Sequence, residues 1–376
     1  MIRDPVPATV LFVFNFADSI FDFRGNLIET CVDRGYRVVV LAPDISGNVL
    51  VRLQALGIIV RDLPMQRTGL NPWRDARTFF AIRAMVRQTR ADVVLLYTIK
   101  PIIWGSIASW TAGVRRILPV VTGLGYAFTG GQGRRRKLAG TVAAWLYRLA
   151  LPCASTILFL NPDDRELFWR RGLLSGKART VVLNGEGIDL AEFAVRFLPQ
   201  RVSFLMIARL LGDKGIREFG AAARILKARH PDTPIRLVGY LDQSPDSITQ
   251  AELDEIIASG VEFIGRLDDV RPAIAESSVY VLPSYREGTP RSTLEAMAMG
   301  RAVVTTDAPG CRETVVEGVN GYLVPPRDAV ALAAAMEKFI LDPGLAARMG
   351  AESRRIAEEK YDVNLVNAEI MRHAGL

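Results

Sequence analysis

Two carboxylates frame the segment Glu287-Gly-Thr-Pro-Arg-Ser-Thr-Leu-Glu295. A carboxylate accepts paired hydrogen bonds from vicinal hydroxyls, which is what the diols of a ribose or a hexose present. Gly288 and Pro290 shape the loop so that its backbone can come close to a ligand. The segment follows the apolar run Tyr280–Leu282 and opens a helix reaching Met299. Unpaired N–H groups and the positive dipole end at such a start suit a phosphate. A purely structural reading also exists, because Ser292 and Glu295 have capping-box spacing. It accounts for Glu295 but not for the Glu-Gly-x-Pro loop. A second set lies in Ala208-Arg209-Leu-Leu-Gly212-Asp213-Lys214-Gly215. Arg209 and Lys214, between glycines at the carboxyl end of a strand, can clamp a diphosphate. The alternative is an ordinary strand-to-helix turn with exposed bases. The pattern G-x-x-x-x-G-K-[ST] of a P-loop is absent.

The elements that must hold these residues alternate in type. Short β-branched runs at 9–14, 36–41, 58–62, 92–97 and 117–121 read as buried strands. Amphipathic stretches at 25–34, 72–89, 102–112 and 138–150 read as the helices between them. Asn161-Pro162-Asp163-Asp164 reads as a helix start. The weakly periodic stretch 194–201 reads as a linker, after which the alternation restarts. Strands fall at 202–207, 235–238, 261–264, 279–282 and 302–305, a helix at 216–229, and a nearly all-helical tail from Asp328. The expected fold class is α/β, with two doubly wound Rossmann-like domains facing a central cleft. The expected division is 1–194, 195–359 and a closing helix at 360–376.

The 376 residues suit two cores, and 49% hydrophobic with 23% charged residues is a globular composition. Cys31, Cys153 and Cys311 are too scattered for a disulfide framework or a metal cluster, and only His230 and His373 could assist them. A reducing compartment and no metal are therefore expected. The early residues Arg3, Asp4, Pro5 and Pro7 do not read as a signal peptide, and no apolar run reaches membrane-span length. The net charge of +7 is unevenly shared: 26 basic against 15 acidic residues up to Leu198, and 21 against 25 beyond. A basic first half suits phosphates, nucleic acid or an anionic membrane face. Nucleic acid is not expected, since no zinc pair, RNP aromatics or helix-turn-helix spacing accompanies the charge. Arg134, Arg135, Arg136 and Lys137 lead into a helix carrying Trp145, which suits a membrane surface as well as a solvated charge run.

The Glu287/Glu295 spacing, the Arg209/Lys214 pair and the run Thr306-Asp307-Ala-Pro-Gly-Cys-Arg-Glu313 resemble retaining GT-B glycosyltransferases of family 4. In the first half, Tyr97-Thr-Ile-Lys100-Pro101, Thr122-Gly-Leu-Gly-Tyr126 and Asn161-Pro-Asp-Asp164 resemble the group that builds capsule, O-antigen and lipid-linked oligosaccharides. The resemblance covers nearly the whole chain. It implies a nucleotide-sugar donor, most often a UDP-sugar, a polyprenyl-diphosphate-linked acceptor and no cofactor. It implies that Arg209 and Lys214 hold the donor diphosphate, that Glu295 binds the ribose and that Glu287 touches the transferred sugar. Thr289, Pro290, Arg291 and Ser292 would line the diphosphate, Gly265 and Arg266 would meet the base, and Gly239 would pass close to the nucleoside. Arg24, Gly25, Lys100, Thr122, Gly123 and Tyr126 are the corresponding acceptor-side residues. The implied location is peripheral, on the cytoplasmic face of the inner membrane.

The chain departs from that family pattern in two places. Many relatives carry a histidine where this chain has Thr122-Gly123-Leu124, and the first half has no histidine. The usual glycine-pair loop after the first strand is replaced by 15–25, where only Gly25 keeps a tight approach and Arg24 could meet a phosphate. The expected mechanism is front-face substitution with retention. Three other readings compete. A UDP-sugar 2-epimerase on the same fold would turn over its nucleotide sugar without acceptor. A non-catalytic membrane-associated sugar-nucleotide-binding protein would not need the Glu287/Glu295 pair. A dinucleotide oxidoreductase would need G-x-G-x-x-G after the first strand, which is missing.

Overall fold

The computed structural model describes residues 7–66, 71–123, 134–176, 178–242, 244 and 246–376, leaving aside the side chains of 134–139. The chain divides into two compact units, Met1–Glu186 with Val366–Leu376, and Gly187–Leu365. Each is a parallel sheet between layers of helices.

The first unit holds β1 (Thr9–Val13), β2 (Arg37–Ala42), β3 (Ile59–Asp62), β4 (Val93–Tyr97), β5 (Arg116–Val121), β6 (Ile157–Phe159) and β7 (Thr180–Val182). Their order is β3-β2-β1-β4-β5-β6-β7. Strands β1 and β4 are buried at every position, as sheet centres covered on both faces must be. The second unit holds β8 (Phe204–Ile207), β9 (Ile235–Val238), β10 (Glu262–Gly265), β11 (Val279–Leu282), β12 (Ala302–Thr306) and β13 (Gly321–Val324), in the order β10-β9-β8-β11-β12-β13. In both sheets the order reverses beside the first strand. That reversal opens a crevice beyond the carboxyl ends of β1 and β4 in one unit, and of β8 and β11 in the other.

Most of the periodic stretches become the expected elements, and the helices Pro72–Thr89 and Ile216–Arg229 keep their expected bounds. Four differences occur. The first helix spans Ile20–Asp33, starting five residues earlier than its expected start at Gly25. Ile20, Leu27, Ile28 and Cys31 form a buried stripe at helical spacing, and Arg24 falls on that stripe. Gly25 is therefore a helical residue whose nearest neighbour is Phe21 of its own helix, rather than the tight point of a loop. The stretch expected as one helix over 102–112 begins with a π-helical turn, Pro101–Gly105, followed by Ser106–Thr111. Added Cβ atoms at Gly105 would meet Leu96 at 2.4 Å, so this turn rests directly on β4. Strands β6 and β7 are only three residues long and carry too little pattern to be read from sequence, and β13 opens on a glycine and is only half-buried at Tyr322 and Leu323. The helix expected from Leu138 starts at Arg134.

Candidate functional site

In the second unit the crevice at the end of β8 and β11 receives both motifs. The chain leaves β8 through Arg209 into a short helical turn, Gly212–Lys214, closed by Gly215 at φ +74°. A Cβ on Gly215 would lie 2.1 Å from the Pro283 carbonyl oxygen, so the turn packs against the exit of β11 and only glycine fits. The two exits are then tied together. The Ser284 hydroxyl and the Tyr285 N–H donate to the Asp213 carbonyl at 3.1 and 2.8 Å. This lashing brings Lys214 Nζ to 2.6 Å from Glu287 Oε1, with side chains only 17% and 14% exposed.

The start of the Arg291–Ala298 helix is not capped by a side chain, and its N-cap residue is Pro290. The capping box read from Ser292 and Glu295 does not form. Ser292 is the second residue of the helix rather than its N-cap, and its Oγ lies 2.6 Å from the hydroxyl of Tyr280 on β11, which is also 3.1 Å from the Ile207 carbonyl oxygen. A fully buried phenol needs such partners, and here they join β8, β11 and the helix start at one point. Glu295 is 8% exposed and takes the Arg291 guanidinium at 2.8 Å, one turn apart. A helix start without a side-chain cap, preceded by the Lys214–Glu287 pair, suits an anion.

Gly310, at φ +79°, lies under the loop: a Cβ there would sit 2.2 Å from the Glu287 carbonyl oxygen. The Glu287 N–H donates to the Pro309 carbonyl at 2.9 Å. The run 306–313 therefore supports the Glu287 backbone from below. Cys311 is fully buried in it, and burial pushes its thiol up to about 12, which makes it a packing residue. Burial also raises the Asp213 carboxyl above its usual range, against the pull of Lys214.

The other residues expected on the donor side follow the neighbouring strands of the same sheet. Arg209 Nη1 is 3.0 Å from Asp242 Oδ2 and nearly half exposed. The Gly239 N–H donates to the Gly265 carbonyl at 3.0 Å, and a Cβ on Gly239 would lie 2.0 Å from the Ala208 carbonyl oxygen. Close backbone packing thus already requires that glycine. The Arg266 guanidinium lies over the Tyr240 ring at 5.3 Å. The Thr289 hydroxyl donates to the Gly288 carbonyl at 3.0 Å.

In the first unit the corresponding crevice lies at the ends of β1 and β4. Arg24, 2% exposed, reaches Glu186 Oε1 at 2.8 Å and lies 4.7 Å over the Tyr97 ring. Its place on a buried helix stripe makes that counter-charge necessary. Lys100 Nζ is 2.8 Å from Asp75 Oδ1, both largely buried. Thr98 between them has φ +72°, a strained conformation for a β-branched residue, at a place where strain accompanies ligand sites. Thr122 and Gly123 follow β5. Tyr126 lies outside the described residues, as do the side chains of Arg134, Arg135, Arg136 and Lys137, which open the Arg134–Ala150 helix.

Five residues that matter to this geometry were not foreseen: Tyr280, Gly310, Asp242, Glu186 and Asp75. Tyr280 had a weak signal, a phenol inside an otherwise aliphatic strand. The others reach their partners only through tertiary contact. No group of three or more possible metal ligands occurs among the described residues. No described helix is long and apolar enough to cross a membrane.

The two units match two known domain families. The "Glycosyl transferase 4-like domain" matches residues 23–185, and "Glycosyl transferases group 1" matches 201–342. With parallel sheets of seven and six strands, these matches make the chain a glycosyltransferase of GT-B fold. It belongs to the family 4 glycosyltransferases, and several of its relatives carry names from lipid-linked and capsular saccharide assembly. It is 28% identical to the N,N'-diacetylbacillosaminyl-diphospho-undecaprenol alpha-1,3-N-acetylgalactosaminyltransferase of Campylobacter jejuni, over 94% of this chain and 95% of that one. It is 24% identical to the UDP-Gal:alpha-D-GlcNAc-diphosphoundecaprenol alpha-1,3-galactosyltransferase of Escherichia coli, over 68% of each. Among solved structures, HepE of Anabaena in complex with UDP shares the fold, with TM-score 0.77 and 20% identity, covering 97% of this chain and 98% of that one.

Proposed function

We propose that this enzyme transfers a hexose or N-acetylhexosamine from a UDP-sugar to a polyprenyl-diphosphate-linked saccharide, with retention of anomeric configuration and without a metal ion. The observation that carries the reading is the Lys214–Glu287 contact of 2.6 Å beside an uncapped helix start. A cation and N–H groups suit a diphosphate, and a carboxylate next to them suits the hydroxyls of the sugar attached to it. The names of the Campylobacter and Escherichia relatives support the acceptor class, and the second supports a UDP-sugar.

In this reading Lys214 and Arg209 take the diphosphate oxygens, where negative charge grows as the bond to the sugar breaks. Arg291 and the N–H groups of the helix start share that charge. Glu295 accepts from the ribose hydroxyls and Glu287 from those of the transferred sugar. The departing diphosphate oxygen takes the proton of the attacking acceptor hydroxyl on the same face, so the new bond keeps the old configuration. The protein contributes position and preorganised charge rather than a covalent step. Charge stabilisation by Arg, Lys and a helix end replaces a metal. The enzyme acts at the cytoplasmic face of the inner membrane as a peripheral protein.

A panel of nucleotide sugars offered with an undecaprenyl-diphosphate-linked monosaccharide, read by mass spectrometry in excess EDTA, tests this. One UDP-sugar should extend the acceptor by one residue. Consumption of nucleotide sugar without acceptor, or complete loss in EDTA with rescue by manganese, would overturn it.

A further inference from the structure

The first unit carries two very different faces. All five tryptophans of the chain lie in it, at 73, 104, 110, 145 and 169. The helices Pro72–Thr89, Ser106–Thr111 and Arg134–Ala150 pack side by side on one face of the sheet through Ile82, Val86, Ala108, Ala143 and Tyr147. Their outer sides are aromatic. Trp73 is 82% exposed and Phe80 63%, with Trp110, Trp145 and Leu149 exposed on the neighbouring helices. Trp73, Arg77, Phe80 and Arg87 follow one another at helical spacing along the stripe opposite the buried Thr78, Ile82 and Val86.

The same outer side has almost no negative charge. No Asp or Glu occurs between Asp92 and Asp163. The only carboxylate on the three helices is Asp75, which is buried against Lys100. Acidic residues return at the sheet edge, on the Pro162–Arg170 helix. The opposite face is ordinary: its helices Ile20–Asp33 and Val363–Ala374 carry Asp22, Glu29, Asp33 and Glu369 among their bases. A soluble surface mixes both signs. Exposed indole rings among arginines, without carboxylates, instead match the boundary between lipid headgroups and acyl chains.

We infer that this three-helix face lies flat on an anionic bilayer, with Trp73, Phe80 and Trp145 at the level of the headgroups and Arg74, Arg77 and Arg87 on the lipid phosphates. The inference rests on the lipid-linked acceptor proposed above and adds the surface that meets the lipid. With the helices parallel to the bilayer plane, the carboxyl ends of β4 and β5 look along the membrane at headgroup height. Lys100 and Thr122, which follow β4 and β5, are then presented where the diphosphate of a membrane-anchored acceptor must sit.

Sedimentation with vesicles of equal parts phosphatidylcholine and phosphatidylglycerol, at low salt, measures this directly. The triple variant Arg74→Glu/Arg77→Glu/Arg87→Glu should bind at least about a hundredfold more weakly, because each lost base near an anionic surface forfeits about a factor of five and each new carboxylate adds repulsion. The same charge change on the other face, Arg34→Glu/Arg52→Glu/Arg372→Glu, should cost about tenfold or less, since those side chains stand away from the lipid by a Debye length or more. Trp73→Ser/Phe80→Ser/Trp145→Ser should lose about tenfold, chiefly in the fraction that resists salt. All three should keep the melting temperature and the turnover of a short, water-soluble acceptor. Equal losses for the two charge variants, wild-type binding by the aromatic variant, or no vesicle binding by the wild type would each overturn the inference. Vesicle binding without transfer to any acceptor would instead sink the functional reading and leave the docking face standing.

Discussion

Replacing Lys214 by alanine separates what the pair at the heart of the site does for folding from what it does for catalysis. Lys214 Nζ and Glu287 Oε1 are 2.6 Å apart and both side chains are largely buried. Removing the cation leaves a carboxylate short of its nearest counter-charge. A fully buried broken pair costs about 3–5 kcal/mol. With some solvent reaching both groups, about 1–2 kcal/mol is expected here, read as a modest fall in melting temperature. The catalytic loss should be larger. A charge-assisted contact to a diphosphate gains strength as the diphosphate leaves, so kcat/KM should fall about 10²- to 10³-fold, which corresponds to about 3–4 kcal/mol. Calorimetry with UDP should show weakened binding in Lys214→Ala, because UDP carries the diphosphate. Glu287→Gln should bind UDP about as well as the wild type and lose kcat instead, because its proposed partner is the sugar. In the double variant the losses should not add, since the two groups touch each other and the same substrate. A Lys214→Ala enzyme with unchanged UDP affinity and wild-type kcat/KM would refute the diphosphate assignment.

Other consequences follow from neighbouring contacts. Gly310→Ala should remove most activity and lower stability, since its Cβ would sit 2.2 Å from the Glu287 carbonyl oxygen at a φ of +79° that alanine tolerates poorly; full activity would mean that the loop is not held from below. Tyr280→Phe leaves the Ile207 carbonyl and Ser292 without their shared phenol, so UDP affinity should drop about threefold to tenfold with a stability cost of about 1–2 kcal/mol. A loss of stability with unchanged KM and UDP affinity would make Tyr280 purely structural. Arg301 is fully buried and donates to the carbonyls of Arg196, Phe197, Ile274, Ala275, Ser277 and Met299. Arg301→Ala should cost about 3–5 kcal/mol in chemical denaturation. Arg301→Lys should recover little of it, since an ammonium cannot reproduce the planar fork.

How much of this was legible in the sequence depended on how local its cause was. The helix Ile216–Arg229 and the strand Val279–Leu282 could be read because their apolar spacing is their own property. The segments 208–215 and 287–295 could be read as loops leading into helical turns because each is continuous in sequence. The capping box fails because the helix opens earlier than its spacing suggests, at Arg291 after Pro290, so Ser292 is already the second helical residue and its hydroxyl meets Tyr280, a dozen residues earlier in a buried strand. A helix beginning at Gly25 would leave Arg24 outside it and open to a phosphate. Once the helix extends back to Ile20, Arg24 falls on the buried stripe and requires Glu186, far along the chain. Thr98 shows the same limit, because nothing in Tyr97-Thr98-Ile99 announces a positive φ.

The measurement that bears most directly on the central claim is the anomeric configuration of the product. Transfer from a UDP-α-sugar to an undecaprenyl-diphosphate-linked saccharide, followed by proton NMR of the released oligosaccharide, reads the coupling between the first two ring protons of the added sugar. The small coupling of an α-linkage is predicted for a gluco- or galacto-configured donor, with the same signal in the presence of EDTA. The large coupling of a β-linkage would contradict front-face substitution and the roles given to Lys214 and Glu287.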